Sequence, residues 1–266
     1  MSVETYVGGR LVSVDVIHEW ELRRIVRVAR SLRRAFGLPK ADIARDERGR
    51  ARDVAEMRDA LVDLKLGIGV DALRSKMRRQ VDLTAGSTKV MNMAGRGRRR
   101  SSVIEMFVHG CVAADMRDRY FGLMLHNSRR NRHMTLAANP DHHVLEAHEG
   151  SVQEVVETTG GSPMASRFFV RYGVEDGLTS RPDPLFPEQI VGVCCLADGT
   201  EIGGVRHQLR DHQDGMHARL EVEFPALLLP HMIQQHQMHL ACEFHRWFSD
   251  LLIPINYEPE ALPPGP

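Results

Sequence analysis

The spacing of apolar residues predicts that the first third of the chain is mainly helical. Apolar side chains recur at three- and four-residue intervals, the spacing that lines one face of a helix, over three stretches: 19–36, 53–66 and 70–81. Arginines lie between the apolar positions of the first stretch, which is typical of a helix with one buried and one solvated face. Gly37 and Pro39 end that stretch and Gly67 ends the second, because both residue types disfavour a continued helix.

A different pattern predicts an antiparallel sheet in the second half of the chain. Runs rich in β-branched and aromatic residues predict three strands: 168–172, 189–196 and 203–209. The clearest case is a hairpin whose turn contains Asp214-Gly215 and whose second strand covers residues 216–224. In that strand, apolar residues such as Leu220 and Phe224 alternate with charged ones, so one face is predicted to be buried and the other to face water.

Residues 232–252 contain neither Gly nor Pro, and they predict one long C-terminal helix. Five of its residues form an apolar stripe that could cover a sheet: Leu240, Phe244, Trp247, Phe248 and Leu251. A helical N-terminal part, a mostly antiparallel sheet and a long helix packed across it make an α+β fold.

Residues 84–102 have low hydrophobicity, three glycines and a basic run from Arg96 to Arg100, which together predict a mobile linker or an exposed loop. The predicted division is therefore a helical N-terminal region with a basic linker, residues 1–100, and a second domain, residues 101–266. The first 100 residues show no catalytic motif.

Composition places the chain among ordinary globular proteins, with 42% hydrophobic and 26% charged residues. The N-terminus shows no basic segment followed by an apolar core, and no apolar run approaches the roughly 18 residues of a membrane span. A cytoplasmic protein without membrane contact is therefore expected. The four cysteines lack CxxC spacing, and we expect them to be reduced, buried and inert.

Charge is distributed unevenly along the chain, although the net charge is zero. Residues up to Met134 contain 28 Lys and Arg against 16 Asp and Glu, and the remainder contains 7 against 19. A basic half can indicate nucleic-acid binding, but the aromatic residues that stack on bases are scarce here. We expect no nucleic-acid partner, and we expect the acidic half to dock against the basic half.

His239 and Glu243 form the local pattern with the most chemical meaning. Residues four apart on a helix project to the same side, so both side chains could bind one metal ion, and imidazole and carboxylate suit zinc. The pair alone is weak, because helices rich in His and Glu produce it by chance. Eleven of the 14 histidines lie between positions 126 and 239, which raises the expectation of a metal site only modestly.

Four further segments and the His239–Glu243 pair occur in a fixed order in the second domain. They are Asp115-Met-Arg-Asp-Arg-Tyr-Phe-Gly122, Asn139-Pro-Asp-His-His143, Glu157-Thr-Thr-Gly-Gly161, His207-Gln-Leu-Arg210 with Asp214-Gly215, and His239 with Glu243. This ordered set resembles that of the 2,4-diacetylphloroglucinol hydrolases and the related phloretin hydrolases. The resemblance covers about residues 110–255, and the order of the segments carries it rather than any single motif.

The resemblance implies a helix-grip, Bet v 1-like fold, in which the sheet wraps around the long C-terminal helix and the cavity between them holds one zinc ion per chain. His143 and Glu157 would supply two ligands from the sheet, and His239 with Glu243 would supply two from the helix. From the residues alone, three neighbours stay open as alternatives: His142 for His143, Glu154 for Glu157, and His236 one helical turn from His239.

The same resemblance implies a zinc-dependent hydrolase that cleaves a carbon-carbon bond next to a ketone, with metal-bound water as the nucleophile. His207 is the predicted catalytic residue, which would handle protons or bind the ketone or phenol oxygen. Positions that are aromatic in the family hold Arg119, Tyr120, Leu123 and Thr135 here. The last three are expected to contact the substrate, and the loss of most of this aromatic wall predicts a substrate different from that of the family.

The expected partner is a ketonic or phenolic small molecule, and a homodimer is left open. Three other functions are alternatives: a cyclase or decarboxylase of natural-product metabolism on the same scaffold, a non-enzymatic module that binds a small molecule, and a regulator that binds nucleic acid through Arg96 to Arg100. Zinc at about one ion per chain would favour the enzymes, and a steep dependence of binding on salt would indicate nucleic acid.

Overall fold

The computed structural model describes residues 2–252, in which nine strands form one antiparallel sheet in the order β2-β1-β3-β9-β8-β7-β6-β5-β4. The strands are β1 (Val3–Val7), β2 (Arg10–Val12), β3 (Arg99–His109), β4 (His142–His148), β5 (Val152–Glu157), β6 (Ser166–Tyr172), β7 (Glu188–Cys195), β8 (Glu201–His212) and β9 (Gly215–Pro225). The helices are α1 (Val14–Ala35), α2 (Val54–Ile68), α3 (Val70–Ala94), α4 (Ala113–Met124), α5 (Arg129–Ala138) and α6 (Pro230–Leu251).

The C-terminal helix α6 packs its apolar stripe against the sheet. All five predicted stripe residues of α6 are buried in one core with apolar side chains from the strands, including Ile104 on β3 and Leu220 on β9. Burying such a side chain contributes about 1.5–3 kcal/mol, so this stripe accounts for much of the attachment of α6. Pro230 occupies the first turn of α6, where its missing N–H costs no hydrogen bond. The predicted α+β, helix-grip architecture is confirmed.

The N-terminal helices pack against the opposite face of β4 and β5. Ile25 and Leu32 of α1 and Leu61 of α2 form a second core with Val144 of β4 and Val156 of β5. Both faces of these two strands are therefore covered by protein. The first strands, β1 and β2, lie within the predicted helical N-terminal region, yet they join the sheet beside β3.

The predicted linker over residues 84–102 is wrong. Helix α3 continues to Ala94, and β3 begins at Arg99, so no long loop separates them. Polar contacts hold the second half of α3: the Thr84 hydroxyl donates to the Ala165 carbonyl at 2.9 Å, and the Asn92 amide donates to the Glu201 carbonyl at 3.1 Å. Polar contacts of this kind require no regular spacing of apolar residues, so the sequence pattern did not predict the helix.

The basic run within that segment is partly used by the fold. Arg100 donates to the Leu228 carbonyl at 3.0 Å, and Arg99 contacts the Asn92 side chain. The four cysteines are all free, as predicted, and three of them are buried: Cys194, Cys195 and Cys242.

Within residues 2–252, no helix combines the length and the apolar character that crossing a membrane would require.

A buried ion pair joins α1 to α2. Arg58 donates from Nε and Nη2 to the two carboxylate oxygens of Glu21 at 2.6 and 2.8 Å, and both side chains are almost fully buried. Removing one partner of such a pair leaves an uncompensated charge in the core, which costs far more than the net contribution of the intact pair.

We expect Arg58→Met to lower the free energy of unfolding by about 3–5 kcal/mol, whereas the double change Glu21→Leu with Arg58→Met should recover most of that loss. Urea denaturation followed by circular dichroism measures both. Arg23→Met, which removes an exposed pair with Glu19 on the same helix, is the matched control and should change stability little. A loss from Arg58→Met no larger than that of the control would contradict the expectation.

Candidate metal centre

Four side chains from the sheet and the last helix converge on one point. The Nε2 atom of His142 lies 3.5 Å from Oε1 of Glu243 and 3.8 Å from Oε2 of Glu157. The Nε2 atom of His239 lies 3.6 Å from Oε2 of Glu157 and 3.9 Å from Oε2 of Glu243. Two imidazoles and two carboxylates thus alternate around a small space, at distances too long for hydrogen bonds between them.

Three of these groups, His142, His239 and Glu243, lie close enough together to share one metal ion, and Glu157 lies 3.6–3.8 Å from both imidazoles. Zinc binds imidazole nitrogen and carboxylate oxygen at about 2.0–2.2 Å, so neighbouring ligand atoms in a tetrahedron lie roughly 3.3–3.6 Å apart. Two of the four observed distances, 3.5 and 3.6 Å, lie within that range, and the other two, 3.8 and 3.9 Å, exceed it slightly. Ligand atoms of His142, His239 and Glu243 all lie within 4.8 Å of one another. Small side-chain movements would therefore suffice to close the group around one cation.

Strand register and helix periodicity produce this arrangement. His142 and Glu157 are direct partners across the β4–β5 pair, at the end of the two strands. His239 and Glu243 lie one turn apart on α6 and project to the same side. A register irregularity between His142 and Val144 places His143 in a bulge, where the alternation of sides is reset.

The prediction that His143 is a ligand is wrong, and His142 takes that place. The Nε2 atom of His143 pairs with the Thr158 hydroxyl at 3.0 Å on the opposite face of the sheet, towards α1 and α3. Adjacent residues of a strand point to opposite faces, so only one of the two histidines can reach α6.

The other open choices are also resolved by contacts. Glu154 is engaged by Arg74 and Arg167, with the closest oxygens at 2.5 and 2.7 Å, so Glu157 is the carboxylate at the cluster. His236 lies beside the cluster, where its ring stacks on His239 at a centroid distance of 5.4 Å. Glu157, His239 and Glu243 are thus brought together as predicted.

A backbone carbonyl fixes the orientation of His142. Its Nδ1 lies 2.8 Å from the carbonyl oxygen of Thr135, so Nδ1 carries the ring hydrogen and Nε2 presents a lone pair to the carboxylates. On His239, Nδ1 lies 4.0 Å from the Asp141 carboxylate. That distance is too long for a hydrogen bond, and Nδ1 of His239 has no partner within residues 2–252. A partner such as the Thr135 carbonyl, behind a ligand histidine, sets its tautomer and its basicity. Thr135 therefore positions a candidate ligand and, contrary to the prediction, does not line the cavity.

Burial favours the neutral form of all four groups in the cluster. It lowers the pKa of His142 to about 3 and that of His239 well below its usual value, so both rings stay neutral. It raises the pKa of Glu157 to about 7, and burial together with the charge of Glu157 raises the pKa of Glu243 well above its usual range. Neutral imidazoles are the form that binds metal, and a cation would compensate the two carboxylates.

The N-terminal helices hold the segment that carries His142. Arg24 donates from Nε and Nη2 to the Asp141 carboxylate at 2.8 and 2.6 Å, with Asp141 fully buried. Lys65 donates to the carbonyl oxygens of Pro140 and His142 at 2.9 and 2.5 Å. Lys65 thus holds the backbone at His142, and Arg24 holds the Asp141 carboxylate behind His239. The first 100 residues therefore support the candidate ligands.

Neither of these two cations was predicted to support the site, although the sequence carries a signal for both. Lys65 continues the four-residue spacing of Met57 and Leu61 along the apolar face of α2, and all three are buried. Arg24 likewise lies between Trp20 and the next apolar turn of α1. A cation inside an apolar stripe predicts a buried polar partner, because a charge is rarely buried unpaired.

The cluster forms part of the wall of a cavity of about 340 Å³ between the sheet and α6. Aromatic side chains from four elements line it: Tyr120, Phe168, Tyr172, Phe224, Phe244 and Trp247. Tyr120 lines the cavity as predicted, whereas Leu123 is buried in the core outside it, so its assignment to the substrate wall is wrong. Apart from Tyr120, the aromatic residues of the cavity thus lie on β6, β9 and α6 rather than at the positions compared in the sequence.

A chain of hydrogen bonds adds polar groups to this aromatic surface. The hydroxyls of Tyr120 and Tyr172 lie 3.3 Å apart, and the Tyr172 hydroxyl donates to Oε1 of Gln153 at 3.0 Å. Burial raises the pKa of both tyrosines above the usual value, so both hydroxyls keep their protons.

His207 also lines the cavity, as its predicted role requires. Its Nδ1 accepts a hydrogen bond from the backbone N–H of Glu221 at 3.3 Å, which leaves the ring hydrogen on Nε2. Burial lowers the pKa of His207 to about 3, so the ring is neutral at physiological pH. The side chain can therefore donate a hydrogen bond to an oxygen atom within the cavity.

Comparisons with known proteins add little to this geometry. No known protein family and no curated protein matches the sequence. Among solved structures, Ara h 8.0201 matches with 13% identity and a TM-score of 0.40, over 58% of this chain and 99% of that chain. An AHSA1-like protein from Aeromonas hydrophila matches with 12% identity and a TM-score of 0.34, over 60% and 100%. Protein Ms6760 from Mycobacterium smegmatis matches with 9% identity and a TM-score of 0.33, over 59% and 93%.

We expect His142→Ala to lose bound zinc, because it removes an imidazole whose Nε2 faces both carboxylates. His143→Ala is the matched control, since its neighbouring imidazole faces the other side of the sheet and should leave the zinc content near one ion per chain. Mass spectrometry of the metal in protein loaded with zinc and then dialysed measures both variants. Loss of zinc from the His143 variant alone would reverse the assignment.

Proposed function

We propose that this chain is a zinc-dependent hydrolase that cleaves a carbon-carbon bond next to a ketone, in an acylated phenol or a related polyketide-like compound. The observation that carries the proposal is the convergence of two imidazoles and two carboxylates on the wall of a buried, largely apolar cavity. The resemblance of the ordered sequence segments to the diacetylphloroglucinol hydrolases supports the same reaction.

In the proposed reaction, water gives its oxygen to the acyl carbon, and the bond between that carbon and the aromatic ring breaks. The ring carbon takes up a proton, so the products are a carboxylic acid and the deacylated phenol. His142, Glu157, His239 and Glu243 would hold the metal. Zinc, when bound, supplies a water of lowered pKa and polarises the ketone oxygen.

His207 is proposed to bind an oxygen of the substrate. Its neutral ring presents an N–H at Nε2, and a fixed donor of this kind stabilises negative charge that develops on an oxygen during a reaction. Its lowered pKa favours this role over that of a proton carrier, which works best with a pKa near the operating pH.

The remaining walls suit a small aromatic ketone. The cavity volume of about 340 Å³ lies at the lower end of the range of small-molecule pockets, about 300–1,000 Å³. Phe168 and Phe244 offer apolar surface to a ring, and the Tyr120 hydroxyl oxygen can accept a hydrogen bond from a phenolic hydroxyl. The apolar lining also excludes water that is not held by the cluster.

The reaction is tested with a panel of acylated phloroglucinols and protein loaded with zinc. We expect formation of equal amounts of carboxylic acid and deacylated phenol, with one oxygen from labelled water in the acid. Glu243→Ala should abolish both zinc binding and product formation, because it removes a carboxylate of the cluster. Glu149→Ala, in the exposed turn between β4 and β5, is the control and should retain both. Tight binding of a phenol without turnover and without zinc would instead identify a binding module.

A separate experiment tests His207. We expect His207→Phe to lower kcat/KM by about 100-fold, comparable to the loss of one donor from an oxyanion site, while the zinc content stays unchanged. His231→Phe, at the exposed start of α6, is the control and should keep kcat/KM near that of the unmodified chain. Unchanged turnover in the His207 variant would remove this residue from the reaction.

A further inference from the structure

A second pocket lies behind the metal cluster, on the other face of β4 and β5. It has a volume of about 190 Å³ and is enclosed by α1, α3 and these two strands. Because neighbouring side chains of a strand alternate, His142 and Glu157 face the cavity, whereas His143 and Thr158 face this pocket. The two spaces are therefore separated by the thickness of the sheet.

The polar lining of this pocket consists of cations and neutral groups. The cations are Arg24, Arg27 and Lys76, and the neutral polar residues are Ser31, Gln80, His143 and Thr158. No Asp or Glu belongs to the lining among residues 2–252. Arg24 and His143 are buried at the floor, and Arg27 and Lys76 are exposed at the rim.

Several of these groups have hydrogen-bonding capacity that the protein leaves unused. Arg24 binds Asp141 through Nε and Nη2, so Nη1 remains for another partner. Nδ1 of His143 is buried and makes no hydrogen bond within the described part of the chain. Gln80 accepts from the Ala165 backbone through Oε1, which leaves its NH₂ group as a donor.

The rim cations are also without carboxylate partners. Neither Arg27 nor Lys76 forms an ion pair with any residue between 2 and 252, and the Lys76 ammonium lies 5.6 Å from the centre of the Phe36 ring. Cations gathered in a concave space raise the local concentration of anions, and charged donors form the stronger hydrogen bonds with carboxylate or phosphate.

We propose that this pocket binds a small anion through a carboxylate or phosphate group. Arg24 and His143 would contact the anion at the floor, and Arg27 and Lys76 would contact it at the rim. The site is separate from the proposed hydrolase site, since within residues 2–252 the two linings share Pro163 and no charged or polar residue.

Isothermal titration calorimetry with inorganic phosphate and, separately, with benzoate tests the proposal at constant ionic strength. We expect saturable binding of at least one of the two to the unmodified chain at one site. The double variant Arg27→Met with Lys76→Met should weaken that binding about tenfold or more, because two charged hydrogen bonds are lost. Both residues are exposed, so the variant should unfold at the same temperature as the unmodified chain.

The matched control is Arg30→Met with Arg79→Met, which removes the same charge from exposed positions of α1 and α3 outside the pocket. This control should leave the affinity within about twofold, since dissolved salt screens charges that do not contact the anion. Comparison of the two anions then distinguishes a phosphate site from a carboxylate site.

Three results would overturn the proposal. They are no saturable binding of either anion, equal weakening by the two double variants, and unchanged binding in the Arg27 and Lys76 variant. The second result would mean that only overall charge attracts the anion. The third would place the anion elsewhere, for example at the metal cluster.

Discussion

Two carboxylates enclosed without a basic partner are the constraint on which the centre of this molecule depends. Glu157 and Glu243 are both buried. Within residues 2–252, the basic side chains close to them are the neutral imidazoles of His142 and His239, and no lysine or arginine pairs with them. Removing a carboxylate from water is costly, so such a group either keeps a proton or faces a cation. A divalent ion would make two carboxylates and two neutral imidazoles electrically neutral, which explains how these four groups can share a small apolar space.

Such a cluster can bind an ion only if its side chains stay close together. Contacts from much of the chain hold them in place. Lys65 and the Arg24–Asp141 pair hold the segment before β4, and the pair between Glu21 and Arg58 holds α1 against α2. Precise placement of ligands by a surrounding layer of contacts is what distinguishes a binding site from a chance group of side chains. The N-terminal helices thus support the site from behind, without contributing a ligand to it.

The sequence predicts those parts of the fold in which one face is buried and the other is wet. Helix α6 was found from its stripe for that reason. The strand β9 was found from its alternation, but its predicted wet face is wrong, because Glu221 and Glu223 are buried. In β4 this signal is absent, because α1 and α3 cover one face and α6 lies across the other, so His142, His143 and Val144 are all buried. Without alternation, and with a bulge in the strand, the sequence cannot decide which of two adjacent histidines points to α6. The second half of α3 escaped prediction for the related reason that polar contacts, rather than an apolar stripe, attach it.

Because side chains alternate along β4 and β5, the two faces of this strand pair contact groups of different charge. On the cavity face, Glu157 lies beside His142 and His239, whereas on the other face α1 and α3 bring Arg24, Arg27 and Lys76 to the second pocket. Asp141 lies between them and pairs with Arg24 through both oxygens, so the positive charge nearest to the metal cluster is already compensated. Unpaired, Arg24 would repel a cation at His239, since like charges within a protein interior are poorly screened from each other. The buried Arg24–Asp141 pair therefore allows a site for a cation and a pocket for an anion to lie back to back across a single sheet.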